Sequence, residues 1–97
     1  MPADWPFDDS RNVAVFTTGA VYRRGEPILY VSHDEDDGAW QFHNGGQVST
    51  ADMMIVALEE VFVHDPSIGE LFDLPYGWCA IRRAVGQPWA RHDKSAA

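Results

Sequence analysis

Apolar and polar positions follow three different patterns along this chain, and each pattern predicts an element. Asn12 to Thr18 (NVAVFTT) is dense in β-branched and aromatic residues, which fit a pleated, half-buried strand. Ile28 to Val31 is an unbroken apolar run, as a central strand covered on both faces requires. Trp40 to His43 alternates: Trp40 and Phe42 fall on one face, Gln41 and His43 on the other. Ile28–His33 and Trp40–His43 together predict a hairpin around which the rest of the chain packs. Its turn is four consecutive carboxylates, Asp34, Glu35, Asp36 and Asp37, closed by Gly38.

The third pattern is helical. Ala51, Met54, Ile55, Leu58, Val61 and Phe62 recur at spacings of three and four, which predicts the main helix. Ser49 or Thr50 caps its start, and Pro66 obliges it to stop by Asp65. Ser67-Ile68-Gly69-Glu70 has the form of a capping box and predicts a short second helix to Phe72. Gly77 to Arg83 reads as the last strand, and Ala20 to Arg24 as a strand extension or one helical turn. The expected fold class is therefore α+β. It has two layers: a mostly antiparallel sheet of about four strands, with one main helix and one short helix. A single domain spans 1–97, with an ordered core over 12–91, an irregular arm over 1–11 and an irregular tail over 92–97.

Composition supports a folded domain: 45% of the residues are hydrophobic and 12% aromatic. Charge narrows the partners. The chain carries 15 acidic against 7 basic residues, a net charge of −8. That balance opposes phosphate backbones and anionic lipid, so neither nucleic acid nor membrane is an expected partner. Solubility is the plain account of the acidity, and a basic protein partner is the sharper one. Cys79 stands alone and cannot form an internal disulfide, which fits a reducing compartment. The start MPADWPFDDS lacks the features of a signal peptide, and no apolar run approaches the ~20 residues of a membrane span. The expected location is cytoplasmic.

Clustered carboxylates suit hard cations, but the spacing here opposes a calcium loop. With Gly38 as the turn glycine, His33 and Asn44 would stand at the first and twelfth ligand positions, where carboxylates are required. No metal and no cofactor is expected. His33, His43 and Cys79 supply the raw material of a small hydrolase or transferase, provided they converge in a pocket. The favoured reading is instead a non-enzymatic interaction domain. Asp34, Glu35, Asp36 and Asp37 would meet a basic partner, with Trp89 as an aromatic anchor and Trp5 and Tyr76 as further anchors if exposed. A homodimer joined through sheet edges or aromatic segments is a third reading.

Three segments carry a family resemblance: Asp36-Asp37-Gly38-x-Trp40-Gln41-Phe42, Asp65-Pro66-Ser67-Ile68-x-Glu70-Leu71, and Asp73-Leu74-Pro75-x-Gly77-Trp78-x-Ala80-x-Arg82, with a closing Pro88-Trp89-x-Arg91. Over about residues 12–91 the chain resembles a family of short uncharacterised bacterial proteins. It is more distantly similar to a domain found among toxin-immunity proteins, through the acidic hairpin and the Asp-Pro segment. The resemblance implies one small domain and, in its distant form, the binding of a toxic protein. It implies no catalytic residues.

Overall fold

The β-branched run after Asn12 forms strand β1 (Ala14–Thr18) in the computed structural model, which describes residues 5–95. Thr18 then turns the chain into a single helical turn, α1 (Gly19–Tyr22), its hydroxyl accepting from the Val21 N–H at 3.2 Å. Strands β2 (Tyr30–His33) and β3 (Trp40–His43) form the expected antiparallel hairpin, in register from Tyr30–His43 to His33–Trp40. Strand β5 (Trp78–Ile81) flanks β2 on its other side, so β2 is a central strand as its apolar run requires.

The segment expected to be the main helix divides in two. Met53–Ala57 is strand β4, paired antiparallel with β1 at all five positions, and only Leu58–His64 is helical, forming α2. Tertiary pairing explains the difference. The Leu58 and Glu59 N–H groups, orphans of a helix's first turn, donate to the Val13 and Arg11 carbonyls at 2.9 Å each. Glu60 folds back to accept from the Ala57 N–H at 2.8 Å. Together these bonds place the helix start at Leu58. Upstream, Ile55 and Val56 take the extended form that β-branched residues favour. A 3-10 turn over Thr50–Asp52, capped by Ser49, precedes the strand.

The second helix is a 3-10 helix over Pro66–Leu71. Its cap is Asp65 rather than Ser67: the Asp65 Oδ1 accepts from the Ser67 N–H at 3.0 Å, and Pro66 occupies the first turn. A sixth strand, β6 (Ala90–Asp93), runs antiparallel to β5. Its residues, ARHD, carry none of the apolar alternation that marks a strand, and the chain remains ordered past the point where the irregular tail was expected.

The class is thus a mix of helix and sheet, as expected. The sheet itself differs, with six strands rather than about four, in the order β4-β1-β3-β2-β5-β6. It is mixed rather than mostly antiparallel, because β3 lies between β1 and β2 and runs parallel to β1. Residues 19–39, with α1 and β2 among them, supply the long crossover that a parallel pair needs.

One face of the sheet is buried. Val15, Val31, Trp40, Phe42 and Ala80 meet Leu58, Val61, Ile68 and Leu71 from the helical layer. Residues that alternate with these, among them Phe16, Tyr30, Gln41 and Ile81, point to the opposite face and take no part in the core cluster. The expected arm is irregular over the part described but firmly held. Phe7 is buried edge-on to Trp40 at 5.5 Å, and the Trp40 Nε1–H donates to Asp9 at 2.7 Å. Residues 1–4 of the arm and 96–97 of the tail lie outside the described residues. Among the described residues, no helix is long and apolar enough to cross a membrane.

Candidate interaction site

The acidic turn is closed by its own backbone. The Asp34 N–H donates to the Ala39 carbonyl at 2.7 Å, the Gly38 N–H to the Asp34 carbonyl at 3.0 Å, and Gly38 takes the positive φ the return demands. Asp37 contributes a side-chain acceptor to the Ala39 N–H at 2.9 Å. The turn also leans on the loop before β5. The Gly77 N–H donates to the His33 carbonyl at 2.7 Å, and the Tyr76 ring lies against Gly38.

His33 joins turn and loop. Its ring stacks on Trp40 at 3.8 Å and tilts against Tyr76 at 4.5 Å. The His33 Nδ1 lies 2.7 Å from the Leu74 carbonyl oxygen, which can only accept, so Nδ1 carries the proton. Tyr76 itself remains 65% exposed and presents an aromatic surface next to the carboxylates.

The four carboxylates have separate roles. Asp34 points inward along the sheet and accepts from Gln41 at 2.7 Å, Lys94 at 3.0 Å and Ser32 at 3.2 Å. Burial pushes its carboxyl up, but these donors outweigh it and hold the group below the usual Asp value. Glu35, Asp36 and Asp37 are exposed and, among the described residues, take part in no ion pair. A depression of about 340 Å³ lies between them and Gly77, Lys94 and Ser95.

Neutralisation elsewhere sharpens this local charge. Arg11, Arg24, Arg82, Arg91 and Lys94 are each bound to a carboxylate, leaving little cationic surface to offset the turn.

The structure does not bring Trp89 to this surface. Trp89 precedes β6 at the Ile81 end, whereas Lys94 follows β6 at the Trp78 end beside Asp34. The strand between them puts roughly 16 Å between the two sites. Trp89 is partly buried against the core, with the Arg82 guanidinium 4.1 Å from its ring. The turn's aromatic neighbour is instead Tyr76, one of the two further anchors expected if exposed, on the loop before β5.

The three residues of the catalytic alternative are dispersed. His33 and His43 stand at opposite ends of the hairpin and on opposite faces. His43 stacks on Tyr30 at 4.3 Å and accepts from the Gly45 N–H at 3.1 Å, and burial lowers its pKa. Cys79 is 7% exposed, paired in register with Ser32 and His92. Among the described residues, no three His, Cys, Asp or Glu side chains converge as metal ligands.

No family model, curated protein or solved structure matches this chain. The geometry offers an anionic turn closed by backbone bonds, with three carboxylates that pair with no cation among the described residues and the exposed Tyr76 ring beside it.

Proposed function

We propose that the chain is a non-enzymatic protein-binding module. Glu35, Asp36 and Asp37 receive a basic segment of the partner, and Tyr76 packs against its aliphatic or guanidinium groups. The observation that carries this reading is the contrast within the turn. Asp34 is consumed by Gln41 and Lys94, while the next three carboxylates face solvent and, among the described residues, pair with no cation. A turn already fixed by backbone bonds loses little entropy on binding, which favours recognition. Complementary charge speeds encounter and rejects acidic competitors. Neutralisation of a basic toxic protein is the concrete form implied by the immunity-type resemblance.

The test is capture from native lysate on the immobilised chain, compared with the variant Glu35→Gln, Asp36→Asn, Asp37→Asn. The expected result is a set of basic proteins held by the wild type, released by moderate salt and lost from the variant. Equal capture by both overturns the reading.

A further inference from the structure

Three hollows on the described surface carry carboxylates in their walls: Asp34 to Asp37 in one, Asp52 in another and Asp65 in a third. A fourth does not. It has a volume of about 440 Å³, within the range of small-molecule sites, and lies over β5, β6 and the turn that joins them. In a chain of net charge −8, a hollow without a carboxylate is a local exception.

The fold builds this hollow from both strands and their turn. Ile81 and Ala90 are partners in register, and His92 is the partner of Cys79, two residues before Ile81. Alternation puts Ile81, Ala90 and His92 together on the face away from the core. Pro88 adds a rigid ring to the apolar wall. The turn is closed by the Gln87 N–H, which donates to the Ala84 carbonyl at 3.1 Å, with Gly86 at a φ of 88°.

Charge then singles out the ligand. Of the chain's 7 basic residues, Arg11, Arg24, Arg82, Arg91 and Lys94 are in ion pairs. Arg82 borders the hollow, but its guanidinium is committed to Asp65, Ser67 and the Ile28 carbonyl. Arg83, the next residue, is in no ion pair among the described residues and lines the hollow together with His92 and Gln87. The acidic turn does not offset it. Gly77, beside that turn, is four residues before Ile81 along an extended strand, roughly 13 Å away. That exceeds the ~8 Å screening length at physiological salt.

We propose that this hollow binds a small aliphatic carboxylate, with its alkyl body on Ile81, Pro88 and Ala90 and its carboxylate at Arg83. One guanidinium matches one negative charge, and its fork meets a carboxylate with two parallel bonds. The His92 ring and the Gln87 amide each supply a further donor. The apolar wall selects the alkyl body, and the cation rejects an amine of the same length. The hollow is open to solvent, so affinity falls roughly in the submillimolar range. The site is separate from the acidic turn, and both can be occupied at once.

Amide chemical-shift titration of the full chain with sodium octanoate, octan-1-ol and octylammonium chloride tests the proposal. Octanoate is expected to give saturable shifts centred on Ile81, Arg83, Gln87, Ala90 and His92. Octanol binds at least tenfold more weakly, and octylammonium gives no saturable shift there. Arg83→Gln weakens octanoate at least tenfold and leaves the octanol response unchanged; Ile81→Ser weakens both. The spectrum of each variant reports its fold in the same experiment. The triple variant Glu35→Gln, Asp36→Asn, Asp37→Asn binds octanoate as the wild type does, which keeps this site distinguishable from the turn. No saturable shift at millimolar octanoate overturns the proposal. So do equal responses to the three probes, or octanoate binding that survives Arg83→Gln at full strength.

Discussion

The buried Arg82 makes the most exacting prediction. Its side chain is 1% exposed and is held from three directions. Nη2 donates to the Asp65 Oδ2 at 2.6 Å, Nη1 to the Ser67 hydroxyl at 2.8 Å, and Nε to the Ile28 carbonyl at 3.0 Å. Its guanidinium stacks on Trp89. The group thus ties β5 to the 3-10 helix, to the entrance of β2 and to the approach to β6. Asp65→Asn isolates the charge term. The Asn carbonyl keeps the cap, because Ser67 is bound through Oδ1, while an amide N–H replaces the Oδ2 that Arg82 needs. An unpaired buried guanidinium costs about 3–5 kcal/mol. Set against a total of roughly 5–15 kcal/mol for a domain of this size, the loss is severe. The melting temperature should fall by about 12 °C or more. Arg82→Met destabilises as well, by exposing the pair's partners. The double variant should be more stable than Asp65→Asn alone, because it leaves no orphan charge. Thermal and urea unfolding of all four proteins complete the cycle. A loss under about 1 kcal/mol for Asp65→Asn, or single effects that add within about 0.5 kcal/mol, would refute the reasoning.

Three further outcomes follow from the same geometry. His33→Ala removes the Trp40 stack and the Leu74 bond, and should lower the urea unfolding free energy by about 2–4 kcal/mol. Asp34, Asp52, Glu60 and Asp93 all have carboxyl pKa values below the usual range, each held down chiefly by donors around it. A depressed folded-state pKa contributes stability that is complete above the ordinary value near 4 and is lost as pH falls through the folded value. Asp34→Asn should therefore be destabilising at neutral pH, with the gap to wild type closing in acid; a gap of constant size across that range counts against the assignment. At the alkaline end, the bond to Glu60 raises the Tyr22 pKa and burial raises that of Tyr30. Those contributions are present below about 10 and lost as pH rises through the folded values, so phenolate absorbance should appear later in the folded chain than in urea.

The hairpin was legible in the sequence because its signals are local and strong. Asp36-Asp37-Gly38 marks a turn, Ile28–Val31 a central strand, and Trp40 and Phe42 a buried face. Strand β4 was not legible, because its apolar positions satisfy two periods at once. Met54, Leu58 and Val61 lie at helical spacing, yet Met54 to Val56 alternates about an exposed Ile55. Only the partner β1, distant in sequence, decides between them, and contacts of that kind leave no local trace. The same holds for β6. Arg91 and His92 give no strand pattern, and Lys94 meets Asp34 only because the strand returns along β5. The sequence shows four equivalent carboxylates in a row; the fold takes the first into the sheet and leaves three outside.

That division explains how one end of the sheet can be acidic without weakening the domain. Like charges in a turn repel, and a hairpin closed only by repelling groups would fray. Here Asp34 receives three donors, His33 pins the loop from below, and the Gly77 N–H closes the backbone. The repulsion among Glu35, Asp36 and Asp37 is thus borne by bonds that do not involve their own carboxylates, apart from the Asp37 contact to Ala39. The opposite end of β5 carries the converse arrangement, a buried Arg82 with every donor group engaged and a ring across it. At the Arg82 end the charge is compensated and buried, while at the turn three consecutive carboxylates are held in place by bonds that are mostly not their own. Removing Glu35, Asp36 and Asp37 together should therefore leave the melting temperature unchanged or slightly raised, while abolishing capture of a basic partner. A clear loss of stability in that variant would show that these carboxylates serve the fold, and the recognition argument would lose its basis.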